Sequence, residues 1–283
     1  MSKKHTVISI IFFLAPVILT AQPVDIQMMQ KIRDEEKNNS QIVMIAHNLT
    51  DVTGPRLTNS PGYKRALVWI TQTLNQWGLQ NAGPEAWGEF GKGWSTEKSY
   101  LALKAPYYQP MIAYPVAWSN GTKKPLTADV ILIDKLDSAT IGKLGKGVKD
   151  KVVMTKTVST TLRSAMKPFY TRYEDTALQH LPDEYMLTKV QIDNFVPFLT
   201  GQYRTKLYLQ SLGALGLLSS GSQGRDGTIV VSGSPARAKG YEAALPELVI
   251  DREDYLRLQR LIQNNKKVQV EMDVRNRFYN SCI

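Results

Sequence analysis

Histidine and cysteine are scarce in this chain. Its 283 residues include three histidines, His5, His47 and His180, and one cysteine, Cys282. A co-catalytic metal pair needs several imidazole and carboxylate ligands converging on two ions, with a position left open for water. His5 sits in a leader-like segment, so only two imidazoles remain, and no catalytic, cofactor-binding or metal-ligating residue is predicted. A lone cysteine has no intramolecular partner, so stability must come from packing. Cys282 is also one residue from the end, a poor place for a nucleophile. No phosphate-cradling glycine pattern occurs: Gly142, Gly145 and Gly147, like Gly221, Gly224 and Gly227, fit neither the Walker nor the dinucleotide spacing and read as loop glycines. The net charge of +10 is scattered, which argues against nucleic acid as a partner, because phosphate binding needs cations gathered on one surface.

The N-terminus has a secretory layout. Lys3, Lys4 and His5 precede an apolar run from Val7 to Leu19, and small residues follow at Thr20 and Ala21. The run is shorter than the roughly 20 residues a membrane span needs. Cleavage after Ala21 is expected, leaving a secreted or periplasmic protein with no membrane association. The whole chain, 43% hydrophobic and 21% charged, has the composition of an ordinary folded protein.

Helical periodicity and start signals predict a helix capped by Asp25 with Ile26, Met29 and Ile32, and a second capped by Ser40 with Ile42, Ile45, Ala46 and Leu49. The clearest helix begins at Ser60-Pro61, carries Leu67, Ile70, Leu74 and Trp77, and stops at Gly78. Strands are expected over Glu85–Phe90, Ser99–Leu103, Ala113–Trp118, Ala128–Ile133, Lys151–Thr155, Val230–Ser232 and Leu248–Ile250. Residues Thr157 to Gln210 read as inserted helices, broken at Pro168, Pro182 and Pro197, that form a lid over the sheet or a recognition surface. Leu212 to Leu218 reads as a turn of helix running into a strand. Asp251 caps a helix with Tyr255, Leu258, Leu261 and Ile262, and Lys267–Arg275 alternates as a half-buried strand.

Each suggestive cluster has a plainer reading. His180 with Asp183 and Glu184 offers two ligands at helical spacing but no third, and reads as a surface histidine. His47, near a helix end, suits contact with terminal carbonyls. Ser219, Ser220 and Ser222 sit near glycines, yet Ser220 occupies the place of the first glycine of a nucleophile elbow, and a triad would need a histidine within reach. Asp251, Glu253 and Asp254 lie where capping and dipole compensation use carboxylates. Trp87, Phe90 and Trp94 suggest an aromatic ligand surface, against sheet packing as the default.

Four places together resemble the secreted zinc exopeptidases of the carboxypeptidase Q and bacterial aminopeptidase kind. They are Thr53-Gly54-Pro55-Arg56-Leu57 with Ser60-Pro61-Gly62, its helix and the Glu85–Phe90 strand; Gly147-Val148-Lys149-Asp150-Lys151-Val152-Val153; Leu212 to Ser220; and Leu245 to Ile250 with the helix and strand that follow. The resemblance implies a mixed α/β (α+β) fold. Residues 1–21 would be the signal peptide, and 22–100 the opening helices and first strands of a peptidase domain. Residues 101–265 would be an inserted β-rich protease-associated domain with extra helices over about 157–210, and 266–283 the return strand. Full-length relatives bind two zinc ions through residues beyond that strand. The chain is therefore expected to be the non-catalytic front portion of such an enzyme, as a truncated or split product, with a peptide or protein partner. An exported binding module that stands alone is the other expectation. An incomplete sheet would also leave an exposed, aggregation-prone edge.

Overall fold

The computed structural model describes residues 25–157, 172–221 and 227–280, without the side chains of 182–185. Two compact units divide between Val52 and Thr53. The first holds helix α1 (Ile26–Asn39), the short α2 (Ile42–His47) and a π-helical turn, Asn48–Val52. Asp25 caps α1 by accepting the Met28 amide at 2.9 Å, as its sequence predicts. The second cap differs from expectation: Gln41 takes the position before α2. The Ser40 hydroxyl donates back to Glu36 at 2.7 Å, closing α1, and also accepts the Ile42 amide of α2 at 3.4 Å.

The second unit holds one eight-stranded mixed sheet in the order β2-β1-β8-β4-β5-β6-β7-β3. Its strands are β1 (Gly93–Ala105), β2 (Gln109–Pro110), β3 (Ala113–Pro115), β4 (Leu126–Ile133), β5 (Lys151–Thr155), β6 (Gly216–Ser220), β7 (Glu247–Ile250) and β8 (Gln269–Tyr279). The run β4 to β7 is parallel, while β8 is antiparallel to both β1 and β4, and β3 is antiparallel to β7. Strands from the three sequence segments 22–100, 101–265 and 266–283 thus share one sheet.

Helices α3 (Pro61–Gln76), α4 (Ser138–Leu144), α5 (Asp175–Tyr185), α6 (Lys189–Ser211) and α7 (Arg252–Gln263) complete the unit. Period-two alternation sorts the core into two faces. Val152 and Met154 of β5 join Leu218, Val270, Met272 and Leu258 on the α7 side, whereas Val153 joins Leu217, Ile141 and Leu209 on the side of α4 and α6. Both faces of the parallel strands are covered, which explains their unbroken Val, Leu and Met runs.

Several sequence expectations are corrected. Glu85–Phe90 forms no strand: Pro84 and Gly88 flank residues that find no ladder partner, and Trp87 stands 77% exposed. Val230–Ser232 is irregular, and only an isolated bridge from Ala117 to Gly233 forms there. Pro197 lies inside α6 and Pro182 inside α5, and the break between these helices falls at 186–188. Thr188 explains the restart, since its side chain and that of Gln191 form a reciprocal capping box. Pro168 and the leader fall outside the described residues. The sheet edges are the two-residue β2 and the three-residue β3, ending in Pro110 and Pro115. Short, proline-bearing edges resist edge-to-edge pairing.

Candidate functional site

A pocket of about 560 Å³ opens where the start of α3 meets the start of β1 and the end of β8. Local chemistry builds it. Ser60 caps α3 by accepting the Tyr63 amide at 3.2 Å, and Pro61 occupies the first helical position, where a missing N–H costs nothing. Gly62 then allows a close approach: a Cβ there would lie 1.9 Å from the Pro55 carbonyl oxygen. Gly93, at the start of β1, does the same beneath Asn59, whose carbonyl oxygen would lie 2.0 Å from an added Cβ. The turn 53–60 is thereby clamped between helix and sheet. The Arg65 guanidinium donates to the Thr53 carbonyl at 2.8 Å, and the Asn59 amide donates to the Gly91 carbonyl at 3.3 Å.

The walls are aromatic. Trp94 is buried and donates its indole N–H to the Ser119 carbonyl at 3.3 Å; Trp118 donates to the Lys92 carbonyl at 2.8 Å. Phe90 packs on Trp118 at 6.0 Å between centroids, and the Arg237 guanidinium lies 5.0 Å above Phe90. Pro55, Leu57 and Pro61 add apolar surface, with Tyr114, Ser232 and Tyr279 at the rim. Burial pushes the Tyr114 phenol above its ordinary pKa. Ser95 Oγ and the Tyr279 hydroxyl lie 3.0 Å apart. A mostly apolar concavity with a few convergent hydroxyls suits an apolar or aromatic side chain. No histidine, cysteine or carboxylate is among the described lining residues, so the Ser95–Tyr279 pair has no base beside it.

The structure does not gather the other sequence candidates there. His47 bonds Asp51 at 2.9 Å rather than a terminal carbonyl, and this hydrogen bond holds the Asp51 carboxyl below its ordinary range. Its site lies in the N-terminal unit. His180 is an exposed residue of α5, and the side chains of Asp183 and Glu184 lie outside the described residues, as do Ser222 and Cys282. The Ser219 hydroxyl sits 3.5 Å from the Leu248 carbonyl. Asp251 caps α7 by accepting the Asp254 amide at 2.7 Å, and Asp254 pairs with Arg257 at 2.8 Å. Trp87, Phe90 and Trp94 line no single cavity: Phe90 packs against the cluster of Trp94 and Trp118 and lines a second cavity together with the exposed Trp87. Sequence reading missed Tyr279 and Ser232, which reach the pocket only through long-range pairing.

Among the described residues, no group of three or more His, Cys, Asp or Glu is arranged to hold a metal ion. The zinc pair implied by the resemblance does not fit these residues, which therefore offer no step through zinc. No helix among them is long and apolar enough to cross a membrane.

No family model matches the chain, and no curated protein matches it. Solved structures do. A peptidase M28 precursor from Shewanella amazonensis aligns with a TM-score of 0.52 at 17% identity, over 90% of this chain and 51% of its own. A zinc aminopeptidase from Bacillus subtilis aligns at 0.42 and 10% identity, over 83% of this chain and 44% of its own. An aminopeptidase from Aneurinibacillus sp. strain AM-1 aligns at 0.42 and 11% identity, over 84% and 45%. The chain has the α/β fold of the first, and it spans about half the length of these proteins.

Proposed function

We propose that this chain is the non-catalytic front portion of a secreted zinc exopeptidase-like protein, and that it serves peptide access rather than peptide hydrolysis. Residues 1–21 act as the signal. Residues 101–265 correspond to the protease-associated domain of the carboxypeptidase Q and bacterial aminopeptidase kind. The observation carrying this reading is the aromatic pocket built from the Ser60-Pro61-Gly62 helix start. It has the size and apolar character to hold one large side chain, and among the described residues no base or metal ligand lines it.

The test is direct. Purified chain, incubated with zinc, is assayed for release of N-terminal or C-terminal residues from peptides, with bound zinc measured by atomic absorption. No release and no stoichiometric zinc are expected, while peptides bearing a terminal Phe or Leu shift the tryptophan emission of Trp94 and Trp118. Two zinc ions per chain with peptide turnover would sink the reading. The same pocket serves an exported peptide-binding module that stands alone, the second reading. Complementation separates them: a zinc-binding half of a related exopeptidase gains activity with this chain only under the first.

A further inference from the structure

We propose that the first half of α6 is a self-association arm through which two copies of this chain pair. α6 carries one apolar stripe along its length, but only the C-terminal half of the helix is covered. Tyr203, Thr205 and Leu209 are buried against the sheet. At 100° per residue, Ile192, Phe195, Val196, Phe198 and Leu199 fall on the same side, within an arc of roughly 160°. They stand 48%, 53%, 59%, 57% and 43% exposed. A stripe of this width ordinarily faces a core, and among the described residues none is supplied here.

Area and charge identify what covers it. Large apolar side chains present about 150–200 Å² each, so these five, half exposed, offer on the order of 450 Å². That is over half of the roughly 800 Å² per partner in a standard interface, and Met186 and Leu187, 74% and 60% exposed just before the helix, extend it. From Val190 to Tyr203 the one charged residue is Asp193, and Lys189 neutralises it at 2.8 Å. In a chain of net charge +10, most surfaces would repel their own copies, whereas this one is charge-free, as interface centres are. Two arms crossing about a two-fold axis place each stripe against itself, the geometry of an isologous dimer. This inference does not depend on the peptidase reading.

Analytical ultracentrifugation of the full chain, from about 1 to 100 μM, a range bracketing micromolar affinity, tests it. Wild type is expected to pass from single-chain to double-chain mass. Phe195→Asp with Phe198→Asp should raise the dimer Kd at least 100-fold with unchanged near-ultraviolet circular dichroism. Ile192→Lys, at an exposed position within the stripe, should weaken pairing about tenfold. In a Cys282→Ser background, Val196→Cys should form a covalent dimer on oxidation and Trp87→Cys should not. A wild type of single-chain mass throughout, or a dimer indifferent to Ile192→Lys and the aspartate pair, overturns the proposal. So does a single-chain wild type that floats with phosphatidylcholine vesicles, which would assign the arm to a lipid surface.

Discussion

Asp251 does two things that oppose each other. Its carboxylate caps α7 through the Asp254 amide, yet the residue is 4% exposed. Burial, reinforced by the charges of Asp254 and Glu253, pushes its pKa up to about 6. A carboxyl whose folded pKa lies above its unfolded value favours the folded state when protonated. Stability therefore falls as pH rises from about 4 to 6, by roughly 2–3 kcal/mol for this group alone. Asp273 acts in the opposite sense. Lys98 Nζ, 2.5 Å away, holds its carboxyl below the ordinary range, so its contribution is present above about pH 4 and lost in stronger acid. Asp251→Asn keeps a capping acceptor without the charge and should gain about 1–2 kcal/mol at pH 8. It should also flatten the decline between pH 4 and 6. Asp251→Ala loses the cap, worth about 1 kcal/mol, and should gain less. Urea unfolding of the three proteins across pH 4–8 reads this out; an Asn variant weaker than wild type at pH 8 would refute it.

Elements with a local cause were legible in the sequence. The Ser60-Pro61 and Asp251 starts predict α3 and α7 because cap and periodicity act within one turn. Lys151–Thr155 was read with its observed bounds, since a short Val-rich run between turns has few alternatives. Elements whose cause is distant were not. Glu85–Phe90 has a strand-like sequence but no partner. Pro197 suggests a break, yet the 23-residue α6 runs through it, anchored at one end by its capping box and at the other by Leu209. The pocket was half visible, its helix start in the sequence and its Tyr279 rim only in the β1–β8 pairing. Gly62 tests how far the helix start depends on close approach. Gly62→Ala must displace the Pro55 carbonyl and should cost about 1–3 kcal/mol, lowering Tm by roughly 3–10 °C. Gly83→Ala, with nothing within 4 Å of the new methyl group, should leave Tm unchanged within about 2 °C. Equal losses from both would remove the steric explanation.

At the scale of the whole molecule, β8 decides whether there is one structure or two fragments. It lies between β1 and β4 in the sheet order, so it joins the hairpin end of the sheet to the parallel run. Val268, just before it, and Val270, Met272 and Val274 within it are all at most 2% exposed in the core facing α7. Fully burying a side chain of this kind contributes about 1.5–3 kcal/mol, so these four alone approach the 5–15 kcal/mol by which domains are stable. The pairing is also remote: Ala105 meets Gln269 across everything in between, so the ladder closes late and against a large loop entropy. A chain ending at Lys266 should therefore keep much of its helical circular dichroism, lose near-ultraviolet signal and cooperative thermal unfolding, and bind a hydrophobic dye, as a collapsed state does. Adding a peptide of residues 267–280 should restore the near-ultraviolet signal, because the vacated slot is flanked by two strands with matching registers. A cooperative transition in the shortened chain without peptide would mean that the parallel run β4 to β7 and its helices fold alone, and that the β1–β2 hairpin is an appendage to it.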